Sequence, residues 1–431
     1  MATITQKSTT DTGFQFTRKR FLSTVLVLIG LFALIQSNST FDSTTSTTLA
    51  LESGAPGTVL EVDIPTLTFM LVMSSYFMIV GVLGIIDLRP LHRLTTWLLI
   101  AAGVMLFPTI IIAAVGDGRT NAITLITESL RLSTPIAIGA MAGIWCERAG
   151  VINIAIEGMM LFAACFGFTA LFLMRGWFPN ADINTLLFVS VLVAILTGGV
   201  VALLHAWLSI TFATDQIVSG TVINILALGS TSFIRREVLL SATQGIDTLP
   251  VVRIPFLVDI PIIGEALFAN KPIYFMMFVV IILTHVVLFH TKWGLRTRSV
   301  GENPHAADTL GINVNRMRWI NVFIGGLVAG LAGAWFTLEI AGRFNDGMTD
   351  GKGFIALAAM IFGKWTPFGA FGGALLFGFA DALGTRFQII DVPIPPQFLQ
   401  MVPYIVTMIV LAGLVGRAIP PRAVGQPYKK E

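Results

Sequence analysis

Charge is scarce in this 431-residue chain: 12% of its residues are Asp, Glu, Lys or Arg, against about 25% in a soluble domain. With 55% hydrophobic residues and a mean hydropathy of +0.83, that scarcity excludes an ordinary soluble protein and leaves a polytopic membrane protein. Cysteine is almost absent too. Cys146 and Cys165 both lie in apolar sequence, so they read as small hydrophobic side chains rather than a disulfide framework. The histidines are few and scattered. His285 and His290 stand five apart and do not share a helix face, so no metal site is expected. There is no His-Glu-x-x-His, Gly-x-Ser-x-Gly or Cys-x-x-Cys, and an enzyme is not expected. The net charge of +3 comes with no run of basic and aromatic residues, so a nucleic-acid partner is not expected either.

What the chain has is long apolar runs of about 20 residues, the length that spans a bilayer. Residues 1–17 are polar and Ser/Thr-rich and read as a disordered tail. Arg18-Lys19-Arg20 then precedes an apolar run over 21–36 that resembles a signal peptide; an uncleaved first helix fits the topology better. Further spans are expected at 64–86, 94–115, 122–145, 151–174, 185–209, 217–234, 272–290 and 319–341. A short helix at 354–364, a return helix at 368–386 and a last span at 398–416 follow. The expected fold is all-α, with about eleven or twelve membrane segments, some of them broken or re-entrant. No Lys or Arg occurs between Arg20 and Arg89, which puts 37–63 outside. Counting spans from there puts 291–318 and the basic tail from Arg417 inside. The loop at 235–271 is too small for a folded domain.

Three polar interruptions stand out. The first is Cys146-Glu147-Arg148-Ala149-Gly150-Val151-Ile152-Asn153-Ile154-Ala155-Ile156-Glu157-Gly158, with apolar sequence on both sides. Ionisable groups there are expensive and need a role, and Gly150 and Gly158 mark places where a helix can end. A broken helix with polar groups is a common way to build a transport site. Val151-Ile152-Asn153-Ile154 recurs as Val222-Ile223-Asn224-Ile225, either an internal repeat or a chance match in so apolar a chain. The second interruption is the basic loop 291–312. In it Asn303 can cap a helix starting at Pro304 and Gly311 can end it. A helix that short is not stable alone, so it is either a plain connection packed on its own membrane domain or a docking element for a partner. The third is Gly351 through Pro367. Gly347 to Gly353 superficially resembles a phosphate loop, but Lys352 is followed by Gly353 rather than Ser or Thr, and no Walker A motif occurs elsewhere.

Other polar residues have simpler readings. Asp215, Glu339 and Asp381 fall near span ends, where headgroup-level solvation suffices. Glu128 and Arg131, three apart, can pair. Gly326 and Gly330, like Gly369 and Gly373, are spaced for close helix packing.

Together Glu147-Arg148-x-Gly150-Val151-Ile152-Asn153-Ile154-x-Ile156-Glu157-Gly158, Asp215 through Asn224, Val300 through Asp308, and Gly351 through Pro367 resemble the permease subunits of ABC importers. The resemblance is to the branched-chain amino acid and ribose permease superfamily, nucleoside and simple-sugar branch, and it covers roughly residues 122–416 with the motifs in family order. It implies a multi-pass protein of a prokaryotic plasma membrane that carries nucleosides, or alternatively a simple sugar or a branched-chain amino acid. The implied partners are cytoplasmic ABC ATPase subunits, a second permease subunit (the same chain or another) and an extracytoplasmic substrate-binding protein. No cofactor is implied. The loop helix, with Glu302, Asn303, Pro304, His305, Ala306, Ala307 and Asp308, would be the ATPase coupling helix. Substrate would pass near Asn153, Glu157, Gly158 and Asn224, unless Asn153 and Glu157 satisfy the backbone of their own broken helix. Glu147 and Arg148 would form a structural polar pair. The implied division is an extension over 1–120 with about three transmembrane helices, a permease core over 121–416 and a cytoplasmic tail over 417–431. The extension departs from the family, whose core usually begins near the N-terminus. An ion-coupled secondary transporter is the competing class, with Glu157 and Glu128 as its only candidate acids.

Overall fold

A computed structural model describes residues 17–52, 59–240, 247–389, 401 and 418–430. The chain forms two compact units: among the described residues the first takes in 17–49 and 61–120, and the second 50–52, 59–60 and those from 121 on. The first holds helices α1 (Arg18–Thr40), α2 (Thr66–Ile86) and α3 (His92–Val115). Its core is the cluster of Leu26, Phe77, Val80 and Ala102. Glycines let α1 and α2 approach closely: a Cβ at Gly30 would lie 2.9 Å from Ser74 O, and one at Gly81 2.7 Å from Ser23 O. At one end Lys19 donates to Asp87, whose other partner is His92 at 2.9 Å. That Lys19 hydrogen bond holds the Asp87 carboxyl below the usual range. Strands β1 (Ser46–Glu52), β2 (Val59–Pro65) and β3 (Arg119–Asn121) form a sheet in the order β2-β1-β3. The sequence reading placed 37–63 outside without assigning it structure; its Thr and Val content favours the strands found there.

The second unit contains α4 (Ala122–Arg148), α5 (Ile156–Trp177), α6 (Ile183–Ala206) and α7 (Gln216–Glu237). A hairpin of β4 (Val252–Arg253) and β5 (Ala269–Asn270) brackets α8 (Gly264–Phe268). Then come α9 (Pro272–His290), α10 (Lys292–Glu302), α11 (Pro304–Thr309), α12 (Val314–Ala334), α13 (Lys352–Phe362) and α14 (Pro367–Ile389). The last expected span, 398–416, lies outside the described residues apart from Met401.

Among the described residues nine helices are long and apolar enough to cross a membrane. The all-α, polytopic class is therefore right. Helix α4 is not one of the nine. It carries Glu128, Arg131, Glu147 and Arg148, and every residue from Ser133 to Glu147 is buried, so it is enclosed by protein rather than lipid. Its small residues, Ala137, Gly139, Ala140, Ala142 and Gly143, allow that enclosure. Helices α6 and α12 meet along glycines: a Cβ at Gly326 would lie 2.6 Å from Gly198 O, and one at Gly330 2.5 Å from Ala194 O. Both helices continue into π-wound turns, Trp207–Thr211 and Trp335–Ala341. Ala213 and Ile262 adopt left-handed backbone, at φ +51° and +71°.

Two expected elements shift. The span expected from 151 begins at Ile156, because Gly150 turns the chain with φ +88° and residues 151–153 have no regular structure. The coupling-loop helix expected over 304–310 is present as α11, but a second helix, α10, precedes it. Its polar sequence, with mostly charged and small residues, gave no apolar run to signal it.

Candidate functional site

The break between α4 and α5 is held from three directions. Its exposed backbone must find partners, since lipid offers none. Ile152 N donates to Gln216 Oε1 at 2.7 Å, and Ile152 O lies 2.8 Å from His205 Nε2. A carbonyl only accepts, so His205 carries its proton on Nε2 and its Nδ1 faces the Ser219 hydroxyl at 3.3 Å. Asn224, on α7, makes two further bonds: its Oδ1 accepts from Gly158 N at 2.8 Å and its Nδ2 donates to Ile154 O at 3.0 Å. The second Val-Ile-Asn-Ile thus staples the first. The two copies differ in conformation, one in a helix and one in the break.

Glu157 lies in the first turn of α5 and reaches the start of α13. Its Oε1 accepts from Thr349 Oγ1 at 2.6 Å and Gly351 N at 3.0 Å, and its Oε2 accepts from Gly353 N at 2.6 Å. The carboxylate therefore sits between two helix N-termini, where a negative charge is favoured. A Cβ at Gly353 would lie 2.6 Å from Glu157 N and Cα, so only glycine permits this approach. Asn153 is fully buried. Its Nδ2 faces Cys146 Sγ at 3.3 Å, and its Oδ1 finds no donor among the described residues. Glu157 binds a distant segment and Asn224 satisfies the break, so the expectation that Asn153 and Glu157 serve the broken helix's own backbone is replaced.

The anticipated Glu147–Arg148 pair does not form. Adjacent helix residues point about 100° apart, and both instead grip Trp365. The Trp365 indole donates to Glu147 Oε2 at 2.6 Å, while Trp365 O accepts from Arg148 Nε at 3.0 Å and Nη2 at 2.8 Å. Lys364 and Trp365 both have φ +53°, the tight turn that lets α14 return beside α13.

At the other end of α4, Arg131 donates to Glu128 Oε1 at 2.9 Å and to Asn270 Oδ1 at 2.8 Å. Glu128 and Arg131 line an open cleft with Arg253 and Glu265. Glu339 is not solvated as expected: it is buried and accepts from Ile273 N at 2.6 Å. Asp215 caps α7, and Asp381 pairs with Lys352.

In the loop helix, Asn303 Oδ1 accepts from Ala306 N at 3.1 Å, Pro304 opens the helix and Gly311 follows at φ +79°. Ala307 packs inward with Val300, Val314, Met317 and Tyr428. Glu302, His305, Ala306, Thr309 and Leu310 face outward, while Asp308 is half-buried.

Comparison with known proteins matches residues 125–411 to the family described as "Branched-chain amino acid transport system / permease component". The chain belongs to that permease family. The permease is 41% identical over 315 residues to the guanosine ABC transporter permease protein NupQ of Bacillus subtilis, covering 71% of this chain and 96% of that one. It is 39% identical over 310 residues to the nucleoside ABC transporter permease protein NupC of Lactococcus lactis, covering 71% and 96%. A glucose ABC transporter permease protein of Haloferax volcanii, TsgB13, is 25% identical over 246 residues, covering 56% and 63%. No solved structure matches. The permease is a multi-pass plasma-membrane protein. Sequence reasoning missed Gln216 and His205 as partners of the break, and Trp365 as the partner of Glu147 and Arg148. Gln216 lay within a motif that carried the resemblance, so a signal for it was present.

Proposed function

We propose that the permease forms the membrane pathway of an ATP-driven nucleoside importer, with the ATPase on a separate cytoplasmic polypeptide and an extracytoplasmic binding protein delivering substrate. The observation that carries this is the 41% and 39% identity to guanosine and nucleoside permeases along almost their whole length. The 25% identity to a glucose permease makes a simple sugar the second reading. The test is uptake of radiolabelled guanosine by the reconstituted complex: ATP- and receptor-dependent uptake that unlabelled nucleosides compete away, and glucose does not, is the expected result. Competition by glucose alone would replace the substrate class.

The pathway reading gives the break a positioning role. Glu157 has three accepted hydrogen bonds out of about four that a carboxylate can take, leaving little for a substrate. It acts by fixing the α13 N-terminus against α5. In this reading residues 121–416 are the permease core and 1–120 an added membrane extension.

The coupling helix would dock the ATPase with His305, Ala306, Thr309 and Leu310, which is 80% exposed. Ala307 belongs to the interior. Leu310→Glu is therefore expected to abolish ATPase co-purification while leaving the thermal midpoint of the permease unchanged. Ala307→Arg is expected to lower that midpoint, since overpacking a buried site costs about 1–3 kcal/mol. An ATPase that still co-purifies with Leu310→Glu would overturn the docking surface.

A further inference from the structure

The C-terminal segment 418–430 lies across both the helix break and the coupling helix. Ala423 N donates to Gly301 O at 2.9 Å, and Gly425 N donates to Gly150 O at 3.2 Å. Gly425 has φ +79° and stands so close to the break that a Cβ there would meet Ile152 Cδ1 at 2.8 Å. Three residues on, the Tyr428 side chain is buried among Val300, Ala307, Val314 and Met317, and its ring lies 5.2 Å from that of His305. Lys430 reaches within 3.9 Å of Asp308. One short strand of chain therefore grips Gly150 at one end and α11 at the other.

Under this strap lies Arg318, the largest fully buried side chain among the described residues. Its Nη1 donates to Gln426 O at 2.9 Å, and its Nε and Nη2 meet no acceptor among the described residues. A Cβ at Gly150 would lie 2.9 Å from Nη2, so the guanidinium fills the space between the break and the strap. Sealing a guanidinium with only one of its five donors satisfied among the described residues is unfavourable. Lifting the strap would admit water to it. The strap's packing and backbone bonds are therefore opposed by the cost of keeping Arg318 dry, which is the arrangement of a closure with two accessible states rather than a permanent seam.

We propose that residues 418–430 are a reversible clasp that ties the coupling helix to the helix break, and that it lifts, hydrating Arg318, when the ATPase moves the coupling helix. Tyr428 is its positioning residue on the coupling-helix side. The proposal rests on the ATP-driven reading above.

The test uses the whole complex of permease, ATPase and binding protein in proteoliposomes, with Ala423→Cys as a reporter. Ala423 is 3% exposed, and Cys146 and Cys165 are both buried, so N-ethylmaleimide reports on position 423 with little background. Labelling is expected to be slow without ATP and at least tenfold faster during turnover. Tyr428→Ala is expected to label fast in both conditions, because the ring that fills the pocket of Val300, Ala307, Val314 and Met317 is lost. Slow labelling during active guanosine uptake would overturn the clasp. ATP-accelerated labelling without guanosine uptake would keep the clasp and overturn the nucleoside reading. ATP hydrolysis with neither acceleration nor guanosine uptake would overturn both. Amide exchange at Ala423 and Gly425 in the unsubstituted complex reads the same opening without any variant: protection without ATP and its loss during turnover are expected, and protection unchanged through turnover would overturn the clasp.

Discussion

Replacing Glu157 with alanine is expected to cut uptake roughly tenfold or more and to lower the thermal midpoint of the permease in parallel. The carboxylate is the acceptor for Thr349 Oγ1, Gly351 N and Gly353 N. Without it the two amides at the start of α13 lose their partner, at about 1–3 kcal/mol for each buried group left unsatisfied. Glu157→Gln discriminates further. Its amide nitrogen, placed where Oε2 was, meets the Gly353 N–H donor to donor; flipped, it meets the Gly351 N–H in the same way. Either orientation loses a bond, so glutamine is expected to fall between glutamate and alanine in both stability and transport. A Glu157→Gln permease with wild-type thermal stability and no uptake would show instead that the carboxylate touches substrate. Uptake by the unsubstituted permease that followed a proton gradient rather than ATP, and was lost in Glu157→Gln, would revive the ion-coupled reading.

Gly326→Leu is expected to prevent accumulation of folded permease. A Cβ at Gly326 would lie 2.6 Å from Gly198 O and 3.1 Å from Gly199 Cα. These are backbone atoms, which cannot rotate away, so α6 and α12 must separate along their shared face. Overpacking costs about 1–3 kcal/mol, occasionally more, and a leucine adds three further carbons to the clash. Gly372→Ala is the matched control, because a Cβ there meets nothing within 4 Å. The comparison is made by membrane yield and by the size-exclusion profile after heating. Equal behaviour of the two variants would remove the glycine contact as a determinant of the fold.

Local features were readable from the sequence and distant partnerships were not. Spans announced themselves by length and apolarity, Asn303-Pro304 announced a cap, and Gly326 and Gly330 a close helix contact. Each of those signals lies within a few residues of its consequence. Glu147 and Glu157 were recognised as residues that needed a reason to be in the membrane, but their partners lie 218 and 196 residues away, at Trp365 and Gly353. Nothing in local spacing points so far along a chain. The assumption that Glu147 would pair with its neighbour followed from proximity in sequence, and helix geometry forbids it. The strap escaped notice for a different reason: a short tail rich in proline and charge carries no periodicity, and its order comes entirely from the surface it covers.

The left-handed residues Ala213 and Ile262 have a practical consequence for handling the protein outside its membrane. Each holds an L side chain in a conformation that costs about 1–2 kcal/mol, and for the β-branched Ile262 it is a genuine outlier. Neither takes part in the break, the coupling helix or the strap. Glycine at both positions would remove that strain, offset in part by the greater freedom of glycine in the unfolded chain. An Ala213→Gly, Ile262→Gly permease is expected to survive detergent extraction at temperatures a few degrees higher with unchanged transport, which would make it the better form for purification and imaging.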